Sequence, residues 1–459
     1  MPTSDSLSFA LWQSVIIILV CAAGALLAHQ ALVVFNDGVR PFLLDFIQGR
    51  TTRPQMSAIA FGLSAGFIFG LGAPMALSTH VTNPWLLFLP AEILGLVAGW
   101  KWLAAILGGG WGAVCAFGLS GATTLASKLP VDFLTALQQL SSPILYIFAL
   151  FPVMAVAQQF GRLKGFITLL IEIAVLVIWT RFWPNTFAGS IAMASGVIIL
   201  IAFAIAKDIK DRGEAKAALA AEAGSDADAQ LAEATAAQNA AMDDLFGPNA
   251  ARLRKNIFWF MGLGAMVCML AASGVFGGGE ATSFMIAKGN FAQAASMDAA
   301  RVLGFVPLIA TTALASGAYA MAGLTIVYPV GYLLISTGLP IPVVLALAAV
   351  AGAAIYAIEI FCLSAIGKWL ARWPSVRDSS DHIRSGITES LTIAIIVGSL
   401  MAAFAMGGGL AAAIVGGLYL LNEALGRPVI RMAAGPAAVL ITGVLLNLLY
   451  WVGLFTPPA

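Results

Sequence analysis

Residues 196–224 read GVIILIAFAIAKDIKDRGEAKAALAAEAG. Up to Ala206 the stretch continues an apolar run that begins near residue 187, the length needed to cross about 30 Å of hydrocarbon. At Lys207 the composition turns to Ala, Asp, Glu, Lys and Gln, and it stays so to Lys255 with Phe246 as its one aromatic. Such a segment can form marginal helix but buries little apolar surface, so it reads as a linker. The chain therefore divides into a membrane half 1–206, a linker 207–255 and a second membrane half 256–459.

Apolar runs repeat on both sides of the linker. Candidate spans in the first half are 9–34, 55–79, 85–100, 103–126, 143–160, 165–182 and 187–206. In the second half they are 256–277, 302–317, 318–336, 340–366, 386–406, 408–421 and 433–455. The chain of 459 residues is 60% hydrophobic and only 10% charged, against roughly 25% charged for a soluble domain. The fold class is an all-α polytopic membrane protein of about 12–14 hydrophobic segments, some broken or re-entrant, in two halves of opposite orientation. The net charge of +1 says nothing about nucleic acid, but no basic stretch is interleaved with aromatics, so no nucleic-acid partner is expected and the lipid bilayer is the expected one. Cys21, Cys115, Cys268 and Cys362 stand singly in apolar runs and read as small buried residues.

Orientation follows from Lys and Arg in short flanks. Lys207, Lys210, Arg212, Arg252, Arg254 and Lys255 place the linker in the cytoplasm. Arg40, Arg50 and Arg53 ask for the same side, as do Arg162 with Lys164 and Lys368 with Arg384. All are satisfied if 302–336 holds two passes or a re-entrant pair, which puts both termini in the periplasm. Each half then has an odd number of passes, the parity of an inverted repeat.

Catalytic signatures such as HExxH, G-x-S-x-G and GxxxxGK[ST] do not occur, so no enzyme, cofactor or metal is expected. The glycine tracts at 108–110, 277–279 and 407–409 read as span ends or close-packing points. Gly62, Gly66 and Gly70 repeat every fourth residue, a smooth face for a second helix. Acids inside spans carry more information, because a carboxylate at the bilayer centre costs about 2.5–3.5 kcal/mol even on insertion scales. Glu92, Glu172, Glu359 and Glu389 are such acids. Pro90 loosens the turn beside Glu92, which makes Glu92 the first candidate for proton or sodium coupling, with Asp132 and Glu389 behind it. Glu172 and Glu359 read as acids satisfied by neighbouring helices, Tyr356 being a partner for Glu359. His29, His80 and His382 lie far apart and form no cluster.

Two stretches look broken: LPVDFLTALQQLSSPILYIFALFP (129–152) and GFVPLIATTALASG (304–317). Interrupted apolar segments in both halves point to a solute site, and Ser141, Ser142, Thr311 and Thr312 are its candidate substrate-binding residues. FNDGVRP (35–41) and LNEALGRP (421–428) share an amide, an acid, an arginine and a proline. They read either as turn chemistry or as a cytoplasmic latch of Asn36, Asp37 and Arg40 with Asn422, Glu423 and Arg427.

FNDGVRPF, AFGLSAGF, WLLFLP, LPVD, LSSP, GFVPLIATTALA, GKWLARWPSVR, LNEALGRPV and TGVLLNLLYWVGLF together resemble the YhfT family of bacterial inner-membrane proteins. The resemblance covers nearly the whole chain except the linker, which is longer and richer in Ala here. It implies a place in the bacterial inner membrane and transport of an unassigned solute, and it carries over no catalytic residue. The reading is a secondary transporter of a small polar metabolite, coupled to H+ or Na+, with an elevator motion and a homodimer as analogies. A permease working with cytosolic phosphotransfer partners, a membrane enzyme on lipid-linked substrates, and a receptor or scaffold acting through its linker are the alternatives.

Overall fold

The computed structural model describes residues 9–457 apart from 48, 127, 185, 224–232 and 234–246. The middle of the linker therefore lies outside the described residues. Its first part does not leave the preceding span: helix α11 (Ala188–Ala223) runs straight through Lys207. There Asp208 is buried and accepts from the backbone N–H of Ser375 at 3.1 and 3.2 Å, an acid at a helix start.

The first half begins with α1 (Leu11–His29), strand β1 (Val33–Val34) and α2 (Arg40–Ile47). Next come α3 (Arg53–Phe67) and α4 (Ala73–Thr79), joined by a π-helical turn at Ile68–Gly72, then α5 (Pro84–Val97) and α6 (Lys101–Ala126). The broken series α7 (Phe133–Leu137), α8 (Ser141–Phe148) and α9 (Phe151–Phe160) precedes α10 (Arg162–Phe182) and α11. After the short helix α12 (Gly247–Lys255) the second half follows the same order. It has α13 (Ile257–Ala271), α14 (Glu280–Ala287), α15 (Phe291–Ser316), β2 (Tyr319–Ala320), α16 (Val327–Ser336) and α17 (Ile341–Arg372). It closes with α18 (Pro374–Ala424) and α19 (Arg431–Trp451). Non-helical backbone at Gly407 and Gly408 divides α18 into two arms, so the glycine tract there ends a span as expected.

Each half thus reads long helix, extended segment, short helix, long helix, extended segment, short helix, long helix. The extended segments pair across the halves. β1 runs parallel to β2, and Thr82 bridges Phe276 in the same sense. The first extended segment of each half meets the second of the other, the exchange a two-fold relation produces. All four are launched alike. A left-handed residue stands two positions before each: Ala31 (φ 54°), His80 (φ 57°), Gly274 (φ 76°) and Gly317 (φ 66°). Such a residue ends the preceding helix and turns the chain out of it. After the crossing, α5 is started by Asn83, whose side chain accepts from Leu86 N–H at 2.9 Å, and by Pro84.

Among the described residues, eight helices are long and apolar enough to cross a membrane, or ten if each bent pair counts as one span. α15 is one such pair, bent by 55° at its Phe291–Leu303 and Phe305–Ser316 arms. Outward-facing Leu163, Phe166, Leu170, Ile173 and Val177 make α10 apolar along its exposed side, the surface a bilayer requires. Inside, the buried side chains form two large clusters. One joins α1, α5, α6 and α13 to α17; the other joins the π turn, α7 to α9, α11, α18 and α19. Both clusters draw on both halves of the sequence.

The two RP motifs play different parts. In the second, Asn422 donates to Val429 C=O at 2.8 Å and accepts from Val429 N–H at 2.9 Å. Glu423 accepts from Arg427 at 2.9 Å and from Arg431 at 3.0 Å, and Arg427 itself is left-handed (φ 65°). Every one of these partners lies within one inter-helix turn, which is the turn chemistry. Asn422 is buried while the Glu423 pairs are at the surface. Asn422→Ala should therefore cost about 1–3 kcal/mol by orphaning backbone groups, whereas Arg427→Ala costs about 0–1 kcal/mol. Thermal unfolding in detergent checks the order; equal losses would sink it.

Candidate functional site

The first RP motif leads to the centre of the molecule. Past β1 the chain reaches Phe35 and Asn36, whose backbone N–H groups both donate to Oε2 of Glu92, at 2.8 and 3.1 Å. Asn36 in turn accepts from Gly38 N–H at 2.9 Å and donates to Ser64 Oγ at 3.0 Å and Leu63 C=O at 3.1 Å. Arg40 is buried and reaches Ala318 C=O, beside β2 of the other half, at 3.5 Å. The Asp37 side chain lies outside the described residues. Past β2 a second buried acid acts in the equivalent way. Glu359 Oε2 accepts from Leu324 N–H at 3.0 Å and from the Tyr319 hydroxyl. Two carboxylates, one on α5 and one on α17, thus hold the two loops that follow the strand crossing.

Between these loops lies a cavity of about 320 Å³. Most of its wall is apolar, with Phe67, Trp85, Phe148, Phe305 and Leu391 among the side chains, and it opens where the two buried clusters meet. Its polar lining is Asn36, Arg301, Thr325, Tyr328, Arg384 and Thr388; among the described lining residues there are two arginines and no acid. Arg301 is buried, donates to Gly278 C=O at 2.8 Å and lies 3.2 Å from Oδ1 of Asp298, which is not part of the wall. Thr325 is left-handed (φ 71°), a strained conformation for a β-branched residue. Its hydroxyl and that of Tyr328 are buried without a hydrogen-bond partner. Four short helices start here, since Asn36 and Gly38 precede α2, Trp85 opens α5, Gly278 precedes α14 and Thr325 precedes α16. At α14 the Thr282 hydroxyl accepts from Gly279 N–H at 2.7 Å and the Tyr332 hydroxyl from Gly278 N–H at 2.5 Å, whereas α16 has no side-chain cap.

The residues singled out from sequence fall around this cavity unevenly. Asn36 lines it, and Glu92 stands directly behind its wall. Thr312 bonds its own preceding turn, at 2.8 Å to Leu308 C=O, and Thr311 is half-buried one turn past the lining residues Leu308 and Ile309. Ser141 and Ser142 open α8, but their side chains lie outside the described residues. Asp132 and Glu389 are exposed and line no part of it. Glu172 is fully buried against Gly196 with neither carboxyl oxygen partnered. His29 Nδ1 lies 3.0 Å from Arg53 and 3.2 Å from Gly95 C=O, away from the cavity. Of the glycine face, Gly66 packs on Met432 and Ile430 while Gly62 faces open space. Sequence reasoning passed over Arg301, Thr325 and Tyr328. For Arg301 a signal existed, an Asp298–Arg301 pair three apart entering an apolar run.

The chain is a multi-pass, all-helical membrane protein with a cavity at the crossing of its broken elements. It belongs to the YhfT family: the family profile, described as a protein of unknown function, matches residues 13–455. An Escherichia coli K12 protein described as "Uncharacterized protein YhfT" is 40% identical over 456 residues, covering 96% of this chain and 98% of the relative. No solved structure matches.

Proposed function

We propose that this protein is a secondary transporter that carries a small polar metabolite through its central cavity by alternating access. The observation that carries the reading is the cavity itself, set at the seam of two packed bodies and walled by broken elements of both halves. One body moving against the other would expose the cavity to either side in turn. An elevator-type slide is the form of motion we favour. The proposal places the chain in the bacterial inner membrane as a homodimer, with the linker cytoplasmic, the termini periplasmic and the halves inverted. Glu92 is the proposed coupling site for H+ or Na+, since it touches the loop that lines the cavity.

Uptake into liposomes holding only the purified protein tests this. The proposal expects solute entry that responds to an imposed proton or sodium gradient, and loss of that response in Glu92→Gln. Entry that requires added cytosolic proteins would instead make it a phosphotransfer-type permease. No entry, together with loss of the biological role on deleting the linker, would make it a scaffold.

A further inference from the structure

The cavity also carries information about the charge of its occupant. The wall combines two arginines, each paired with an acid that does not line it (Asp298 and Asp381), with the starts of four helices, of which α5 is already capped by Asn83; a helix start carries roughly half a positive charge. The first turn of α16 has no side-chain cap, whereas at the start of α14 the Gly278 and Gly279 N–H groups donate to the Tyr332 and Thr282 hydroxyls. Between these two helix starts stand two buried hydroxyls that nothing in the protein satisfies, those of Thr325 and Tyr328. A buried polar group without a partner is costly, and because both residues line the cavity a small turn of either hydroxyl toward it would let an occupant supply the bond. Asp298 holds Arg301 from behind without entering the wall, which fixes the guanidinium for use. Apart from Asn36 and Thr388, the rest of the lining, Trp85, Phe67, Phe148 and Phe305 among it, is apolar and would desolvate an ion that had no apolar part.

Resting on the transport reading above, we propose that the solute is a small organic anion, a carboxylate on an apolar or aromatic body. Its charged end sits against Arg301, the Tyr328 and Thr325 hydroxyls and the start of α16. Its body lies along the aromatic wall toward Trp85 and Phe148.

The test uses the purified full-length protein and a panel of small aliphatic and aromatic carboxylates. Each is set beside the primary amide and the amine of the same skeleton, with inorganic phosphate as an anion lacking a body. Thermal stabilisation is read first, then entry into liposomes. Carboxylates should stabilise the protein where their amides and amines do not, and phosphate should do little. Tyr328→Phe removes a hydroxyl that has no partner and Thr325→Gly relieves a strained position, so both variants should fold. Each should weaken carboxylate binding about tenfold or more, as loss of one hydrogen bond to a charged group does. The assignment is overturned if amides or amines stabilise as well as the acids, if phosphate matches them, if no carboxylate stabilises, or if both variants bind unchanged. Liposomes that take up an amine or a sugar would overturn the anion and leave the transporter standing. Liposomes that take up nothing would overturn the transporter itself.

Discussion

Replacing Glu92 or Glu359 with leucine should cost the folded state about 2–6 kcal/mol, while replacing either with glutamine should cost far less. Each acid accepts two donors on one oxygen: the part-buried Phe35 and Asn36 N–H for Glu92, the buried Leu324 N–H and Tyr319 hydroxyl for Glu359. Leucine leaves both donors unpaired in the interior, at roughly 1–3 kcal/mol each. Glutamine keeps a carbonyl oxygen in the same place and loses only the charge. Against a total stability of about 5–15 kcal/mol, the leucine variants should unfold many degrees earlier or fail to accumulate. Unfolding of the purified variants in one detergent, followed by tryptophan emission, gives the comparison. Leucine variants as stable as the glutamine ones would mean that the acids do not hold the loops, and the cavity geometry would lose its support. The same pair of substitutions separates two roles at Glu92. A Glu92→Gln protein that folds normally but ignores ion gradients has lost coupling and not structure.

The sequence revealed the helices and concealed their crossing, for a physical reason. Apolar runs such as 341–372 exceed the bilayer thickness, so their length alone identifies them. A strand of two residues has no periodicity to detect, and Val33–Val34 finds its partner at Tyr319–Ala320, beyond the rest of the first half, the whole linker and the opening helices of the second half. Of the four left-handed residues that launch the crossings, Gly274 and Gly317 are of the type that announces such a turn. Ala31 and His80 are not, so the matching turns in the first half stayed hidden. The broken segment at 304–317 was legible from Gly304, Pro307 and Gly317, but its inward face was not. Leu308 and Ile309 meet the cavity where the hydroxyls of Thr311 and Thr312 looked more useful. Polarity chose the threonines; the direction of a helix face depends on neighbours that only the fold supplies. Glu92 and Glu359 stood out as acids in apolar runs; Tyr356, the partner expected for Glu359, donates instead to Met321 C=O at 2.7 Å, and the donors to the two acids are largely backbone N–H groups that sequence does not display. The two RP motifs share letters and little else, because one ends in a surface turn and the other in the cavity wall.

Within one glycine tract the effect of a single methyl group should swing from ruinous to harmless. A Cβ on Gly108 would lie 2.4 Å from Ala25 Cβ and 2.5 Å from the Cys21 carbonyl oxygen on α1, whereas one on Gly110 would meet nothing within 4 Å. The second half repeats the arrangement, since a Cβ on Gly352 of α17 would stand 2.1 Å from the Gly264 carbonyl oxygen on α13. Backbone cannot step aside as a flexible side chain can, so the helices must separate or the protein must not form. Close approach of small residues is also what holds helices together in lipid, where burial of apolar surface gives no advantage over the bilayer. Gly108→Ala and Gly352→Ala should each cost about 3 kcal/mol or more, the upper range for overpacking. Gly110→Ala should be neutral or gain roughly 0.5–1 kcal/mol from helix propensity. Expression level and unfolding midpoint of the three variants decide it. If Gly108→Ala is tolerated like Gly110→Ala, α1 and α6 do not cross at backbone contact. If Gly108→Ala and Gly352→Ala fail together, each half depends on the same joint between its first and last long helix before the closing spans. The two-fold relation seen in the strand exchange would then extend to what holds each half together.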